Sequence, residues 1–331
     1  MTTPTPGSDE WLTLVDEPVI DPGQRIVDPH HHLWPADGMW PYTLDALLAD
    51  VRDGHNVERT VFMECRVAYR TDGPVEFAPV GETAWVAGEA ERSAGLIAGI
   101  VGHADLRAAN LDDVLDAHVE AGRGLFRGIR DALSRADPAD GLIIRGNAPA
   151  GLFEHPAFRA GVARLGARGF TYDSWHYHFQ TDEFLALAHA VPDTLMVLDH
   201  FATPIGIGRF ADQRDAVFEQ WKQDMIELAR CENVVAKLGG MAMPDNGFGW
   251  HTSERPPTSD EFVAAQAPYF RHMIETFGPD RCMFESNFPV DRMSLSYRVL
   301  WNGLKKIARE YSDVERDALF AGTATRVYEL D

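Results

Sequence analysis

Cysteine is scarce: Cys65, Cys231 and Cys282 are the only three in 331 residues. They are too few and too widely spaced for a disulfide framework or a thiolate zinc cluster, and a reducing cytoplasm is the expected location. No apolar stretch approaches membrane-spanning length, so no membrane span is expected. The N-terminus is rich in Thr, Pro and Gly and lacks a basic start followed by an apolar run, which speaks against a secretory signal. Positive charge is in deficit, with 30 Lys and Arg against 51 Asp and Glu and a net charge of −21. Such a surface repels nucleic acid and anionic membranes, and neither is expected as a partner. A small anionic substrate is not excluded, because a few arginines in a pocket can reverse the local field. No Gly-x-Gly-x-x-Gly or Walker loop follows an early strand, so the nucleotide-binding elements of doubly wound sheets are missing. Neither an internal repeat nor an interdomain linker interrupts the chain.

What is present is an ordinary globular composition, 45% hydrophobic and 24% charged, which implies a real core. Residues 1–24 are polar, Pro-rich and acidic, and read as an arm leading into the first strand, which contacts within a homo-oligomer could order. From residue 25 onward, strand patterns start near residues 26, 59, 96, 125, 169, 195, 234 and 281, with amphipathic helical segments between them. Strand and helix alternating eight times predicts a (β/α)8 TIM barrel, one α/β domain over 25–331, with a doubly wound open sheet as the alternative.

Barrel enzymes build their sites at the C-terminal ends of the strands. In Asp28-Pro29-His30-His31-His32 the alternation of a strand puts His30 and His32 on one face and His31 on the other, so two imidazoles can share one metal. Glu64 ends the second strand. Arg127 and Arg130 end the fourth and could fork a substrate carboxylate; alternation lets at most one face inward, and Arg130 is favoured. Trp175, His176 and His178 follow the fifth strand and offer stacking and hydrogen bonds to a ring, or simple loop packing. His200 ends the sixth, Lys237 the seventh, and Glu285 to Asn287 the eighth. Each alone has a plain structural reading as a cap or a satisfied core group; their convergence points to chemistry.

Four motifs occur in order: Asp-Pro-His-His-His-Leu-Trp at 28–34, Val-Leu-Asp-His at 197–200, Val-Ala-Lys-Leu-Gly-Gly at 235–240 and Cys-Met-Phe-Glu-Ser-Asn-Phe-Pro-Val-Asp at 282–291. Together they resemble the amidohydrolase-related family of TIM-barrel hydrolases, which includes sugar lactonases and a pyrone dicarboxylate lactonase. The resemblance implies that His30, His32 and His200 bind a divalent cation, with zinc the natural choice, or polarise a substrate carbonyl without metal. It implies a small-molecule substrate, and hydrolysis of a lactone or related cyclic ester by activated water.

The last motif departs from the family. Gly-Ser-Asp-Trp-Pro is usual there, and this chain has Glu285-Ser286-Asn287-Phe288-Pro289, so Asn287 stands where the family has its aspartate. An amide cannot take up a proton as general base, although its oxygen can ligate a metal or orient water. Glu285 shares the parity of Asn287 one pleat deeper, Asp291 follows on the loop, and Glu64 could reach across the mouth. A carboxylate in an apolar strand is costly unless paired, so Glu64 and Glu285 are candidates either for catalysis or for ion pairs with Arg66, Arg130 or Lys237. Lys237 would polarise the scissile carbonyl or satisfy Glu285. Two alternatives use the same barrel: a metal-dependent non-oxidative decarboxylase of an aromatic or unsaturated acid, and an inactive ligand-binding protein, which Asn287 would favour.

Overall fold

A computed structural model describes residues 4–38 and 40–330. Eight strands pair in parallel in chain order, β1 (Arg25–His31), β2 (Asn56–Met63), β3 (Ile97–Gly102), β4 (Phe126–Arg130), β5 (Thr171–Ser174), β6 (Met196–Leu198), β7 (Val234–Leu238) and β8 (Cys282–Phe284). The ring closes just beyond β8, where Asn287 N–H donates to His30 O at 3.0 Å and His32 N–H donates to Phe288 O at 2.8 Å. The fold is a (β/α)8 barrel.

After the short helix α1 (Asp9–Leu12), the outer layer is α2 (Leu44–Val51), α3 (Val80–Arg92), α4 (Leu111–Ala121), α5 (Pro156–Ala167), α6 (Thr181–Ala190), α7 (Arg214–Leu228), α8 (Ser259–Phe277) and α9 (Tyr297–Ile307). These helices start and stop by local chemistry. In α8, for example, the Thr258 hydroxyl and the Glu261 carboxylate cap each other's backbone N–H groups, and Phe262, Phe270 and Phe277 bury one apolar stripe.

The barrel has two apolar compartments. Outward-facing strand residues such as Ile26, Phe62, Ile100 and Leu198 pack under the helices. Inward-facing Val27, Val61, Val101, Val197, Val235 and Met283 fill the lower barrel. The chain's last turns, α10 (Asp313–Asp317), a wide turn over Ala318–Gly322 and α11 (Thr323–Val327), plug that end with Ala324, Tyr328 and Leu330.

The register of β1 slips between Asp28 and His31. This bulge matters, because strict alternation from the inward Val27 would place His31 inside. The extra residue resets the parity, and His30 and His32 face in instead.

The arm packs on its own barrel. Trp11 is fully buried and its Nε1–H donates to Ser253 O at 3.0 Å. Ile20 N–H donates to Asn302 Oδ1 at 2.8 Å, and Glu17 accepts from Ser259 N–H at 2.7 Å.

Candidate active site at the C-terminal mouth

Three imidazoles and a carboxylate meet where β1, β6 and β8 end. The His30 and His32 Nε2 atoms face each other at 3.3 Å. His31, on the opposite face, bonds Thr60 Oγ1 at 3.0 Å and packs edge-on to Phe62. His200 opens a turn in which four successive residues, His200 to Thr203, have φ between 41° and 59°. Left-handed backbone costs an L-residue roughly 1–2 kcal/mol, so packing must hold the turn. Phe201 and Ala202 are fully buried, and Phe201 O accepts from Trp221 Nε1–H at 2.7 Å. The turn brings the His200 ring to 4.4 Å from that of His30. Strain of this kind collects at functional sites.

Glu285 lies between the two rings. Its Oε1 is 2.6 Å from His200 Nδ1 and its Oε2 is 2.9 Å from His30 Nδ1. Burial pushes its carboxyl up, but His200 and His30 outweigh burial and hold it well below the usual carboxylate range. Gly239 and Gly240 make room for this arrangement. A Cβ at Gly239 would overlap Glu285 Cγ, and one at Gly240, whose φ is +71°, would overlap the His200 ring.

Proton accounting tests whether these residues fit a cation. Burial pushes His30 and His32 far below their ordinary value, so both rings are neutral. His32 Nδ1 lies 2.8 Å from Met63 O; a carbonyl only accepts, so that nitrogen carries the proton and Nε2 presents a lone pair. His30 Nδ1 and Glu285 Oε2 lie 2.9 Å apart, yet neither makes a hydrogen bond, so a buried ring nitrogen faces a buried carboxylate oxygen with both left unpartnered. Arg130 Nη1 lies 3.5 Å from His30 Nε2, at the edge of hydrogen-bond range. An unpartnered buried imidazole nitrogen facing an unpartnered carboxylate oxygen suits a divalent cation. His30, His200 and Glu285 also offer ligand atoms within 4.8 Å of one another. The residues fit.

The mouth opens into a cavity of about 240 Å³ lined by His32, Glu64, Arg130, Trp175, His200 and Asn287, among others. Arg130 Nε donates to Glu64 Oε1 at 3.0 Å and Nη2 donates to Glu64 O. Burial opposes the Arg130 charge, but Glu64 and Asp199 outweigh it and hold the guanidinium protonated. Asn287 Nδ2 donates to Asp291 Oδ1 at 2.9 Å. Asp291 lies behind it, accepting from Ala242 N–H at 3.1 Å, and burial pushes its carboxyl up to about 7. It therefore fixes Asn287 rather than lining the cavity.

Arg127, His176, His178 and Lys237 lie away from the cavity. Arg127 faces away from the mouth and donates to Gly124 O and Phe126 O at the opposite end of β4, as its parity against Arg130 requires. His176 packs outward between Phe153 and Phe184, with Nδ1 on Ser174 Oγ. His178 Nδ1 accepts from Ile205 N–H under Phe210. Lys237 neither lines the cavity nor pairs with Glu285. It is fully buried below the mouth, 2.8 Å from Asp173 Oδ2 and 3.2 Å from Asp199 Oδ1. Burial pushes the Asp199 carboxyl up, but Lys237, His200 and Arg130 outweigh it and keep it ionised.

The sequence profile of the Amidohydrolase family matches residues 27–330, and the chain belongs to that family. An uncharacterised protein, y4mH of Sinorhizobium fredii, is 33% identical over 326 residues, covering 92% of this chain and 98% of that protein. An L-fucono-1,5-lactonase of Burkholderia multivorans is 32% identical over 237 residues, covering 71% of this chain and 72% of that protein. Among solved structures, a Burkholderia multivorans amidohydrolase with bound zinc superposes with a TM-score of 0.72. It is 27% identical, covering 92% of this chain and 99% of that one.

Proposed function

We propose that the protein hydrolyses a lactone or related cyclic ester. The observation that carries this is Glu285 bridging His30 and His200 at the mouth of a cavity that also holds Arg130. Glu285 accepts the Nδ1–H of His200, which leaves Nε2 on a ring lining the cavity to take a proton from water. The carboxylate has the orienting role that an acid plays behind any catalytic imidazole. Arg130, fixed by Glu64, presents a permanent cation to the oxygen on which charge develops as water adds to the carbonyl. Asn287, held by Asp291, orients water or substrate through its amide. A divalent cation, with zinc the choice that the zinc-bound relative supports, would be held by His30, His32 or His200 with Glu285. It would lower the pKa of water towards about 7. The lactonase relatives support the cyclic-ester class.

The test is acid release from a panel of 1,4- and 1,5-sugar lactones and pyrones, by protein dialysed against zinc and by protein treated with chelator. Hydrolysis with incorporation of solvent oxygen is expected. A panel without turnover, or carbon dioxide released from an unsaturated acid without water incorporation, would overturn the proposal.

A further inference from the structure

The cavity is positive in an otherwise acidic protein. Its ionised lining side chains are Arg66, Arg130 and Arg145 against Glu64, a local excess of two positive charges where the whole chain carries −21. Arg130 and Glu64 occupy each other. Arg66 and Arg145 remain exposed, and among the described residues neither makes an ion pair or a side-chain hydrogen bond. Arg25, Arg107, Arg123, Arg271 and Arg298, by contrast, find surface carboxylates.

The backbone carrying each of the two is anchored by a buried acid. Cys65 N–H and Val67 N–H, on either side of Arg66, both donate to Oε1 of Glu82, at 3.0 and 2.9 Å. Glu82 is completely buried on α3. Between those two bonds Arg66 sits at φ 63°, a left-handed conformation uncommon for a long side chain. On the opposite wall, Ile143 N–H and Ile144 N–H donate to the two oxygens of buried Asp245, at 2.7 and 2.8 Å. Gly146 N–H donates to Tyr177 Oη at 2.7 Å, and that hydroxyl donates back to Ile144 O at 2.9 Å. Arg145 is thus framed on both sides. A solvated surface arginine needs no such framing, because its position does not matter. Trp34, Trp40 and Trp175 supply flat apolar wall in the same cavity.

We propose that Arg66 and Arg145 recognise a carboxylate on the substrate, so that the cavity selects a lactone bearing a free acid group over a neutral one. This rests on the hydrolase reading and adds the charge of the substrate to it. The ring lies on tryptophan, the exocyclic carboxylate meets the two guanidinium groups, and the ester carbonyl is left for Arg130 and His200. Glu82 and Asp245 are positioning residues that act through the backbone.

The experiment compares D-glucaro-1,4-lactone, which carries a carboxylate, with neutral D-galactono-1,4-lactone. Wild-type protein is expected to favour the first in kcat/KM by at least tenfold. Arg66→Gln and Arg145→Gln each lower that ratio by about 10–100-fold, chiefly through KM, as loss of a charge-assisted hydrogen bond predicts. Arg66→Lys and Arg145→Lys retain part of it. A second readout does not depend on turnover: tryptophan fluorescence titrated with D-glucarate saturates for wild type and fails to do so for the Arg66→Gln, Arg145→Gln double variant. Both arginines are exposed, so the variants are expected to melt like wild type. An unchanged preference ratio in both single variants, or glucarate binding unchanged in the double variant, would overturn the proposal. Arginine-dependent glucarate binding with no lactone turned over would instead uphold anion recognition and sink the hydrolase reading.

Discussion

The floor and the mouth of the barrel are built from the same strands, one pleat apart. Val197, Val235 and Met283 point into the floor and pack with Tyr328 and Ala324. Two residues further along, Asp199, Lys237 and Glu285 are equally buried, and each is charged. The floor's side chains are apolar except for the Tyr328 hydroxyl, which donates upward to Asp173 Oδ2. The upper layer persists only through mutual pairing: Lys237 between Asp173 and Asp199, and Glu285 between His30 and His200. Identical burial therefore does opposite work. Below it excludes water and stabilises; above it strengthens every charge interaction and makes each charge depend on its neighbours.

Neutralising the upper layer at its centre breaks this contrast most sharply. Glu285→Gln keeps the shape but removes the charge that orients His200 and faces His30, and activity is expected to fall by about 10²–10⁴-fold. Steady-state rates on the best lactone check it. A variant within threefold of wild type would remove Glu285 from the chemistry. Next in size, Lys237→Met leaves Asp173 and Asp199 buried together without their cation, at an expected cost of roughly 3–5 kcal/mol in unfolding free energy. Urea titration reads that directly. If Lys237 were catalytic and not structural, stability would hold while rate collapsed. On the floor, Met283→Ala removes apolar volume alone and is expected to cost roughly 2–5 kcal/mol. Its KM should stay close to wild type, since the cavity begins one pleat above.

The same contrast explains what could be read in advance. Floor and outer wall are runs of Val, Ile, Leu and Met between helical segments, so all eight strands announced themselves, as did His30, His32, His200 and Glu285 where those runs end. Local pattern could not show the bulge that turns His30 inward, nor that Lys237 is claimed by acids from β5 and β6. Strand-end position alone could not separate Arg130 from Arg127 until parity was applied, nor place His176 on the outer face. Most hidden were residues on long connections. Arg66 and Arg145 reach the cavity because distant groups hold their loops, and no periodicity encodes that. Gly239 and Gly240 stood within a quoted motif, yet their purpose emerges only when a Cβ is set against Glu285 and His200.

Glu82 gives the smallest expected effect and the finest test, because it is a buried charge that no cation compensates directly. It accepts two backbone N–H bonds on Oε1, while Oε2 has no hydrogen-bond partner. Burial, with Glu64 adding to it, pushes this carboxyl from 4.5 up to about 8. Between those values the folded chain binds more protons than the unfolded one, so the contribution to stability falls as pH rises through that window and is lost above 8. Gln at this position keeps an oxygen for the same two N–H groups and has no charge to bury. Glu82→Gln and wild type should therefore melt close together near pH 5 and separate as pH rises, the variant leading by on the order of 2–5 °C at pH 9. Parallel melting curves from pH 5 to 9 would mean that a carboxylate can lie here at no cost. Buried charge outside the barrel would then follow different rules from the paired layer at its mouth.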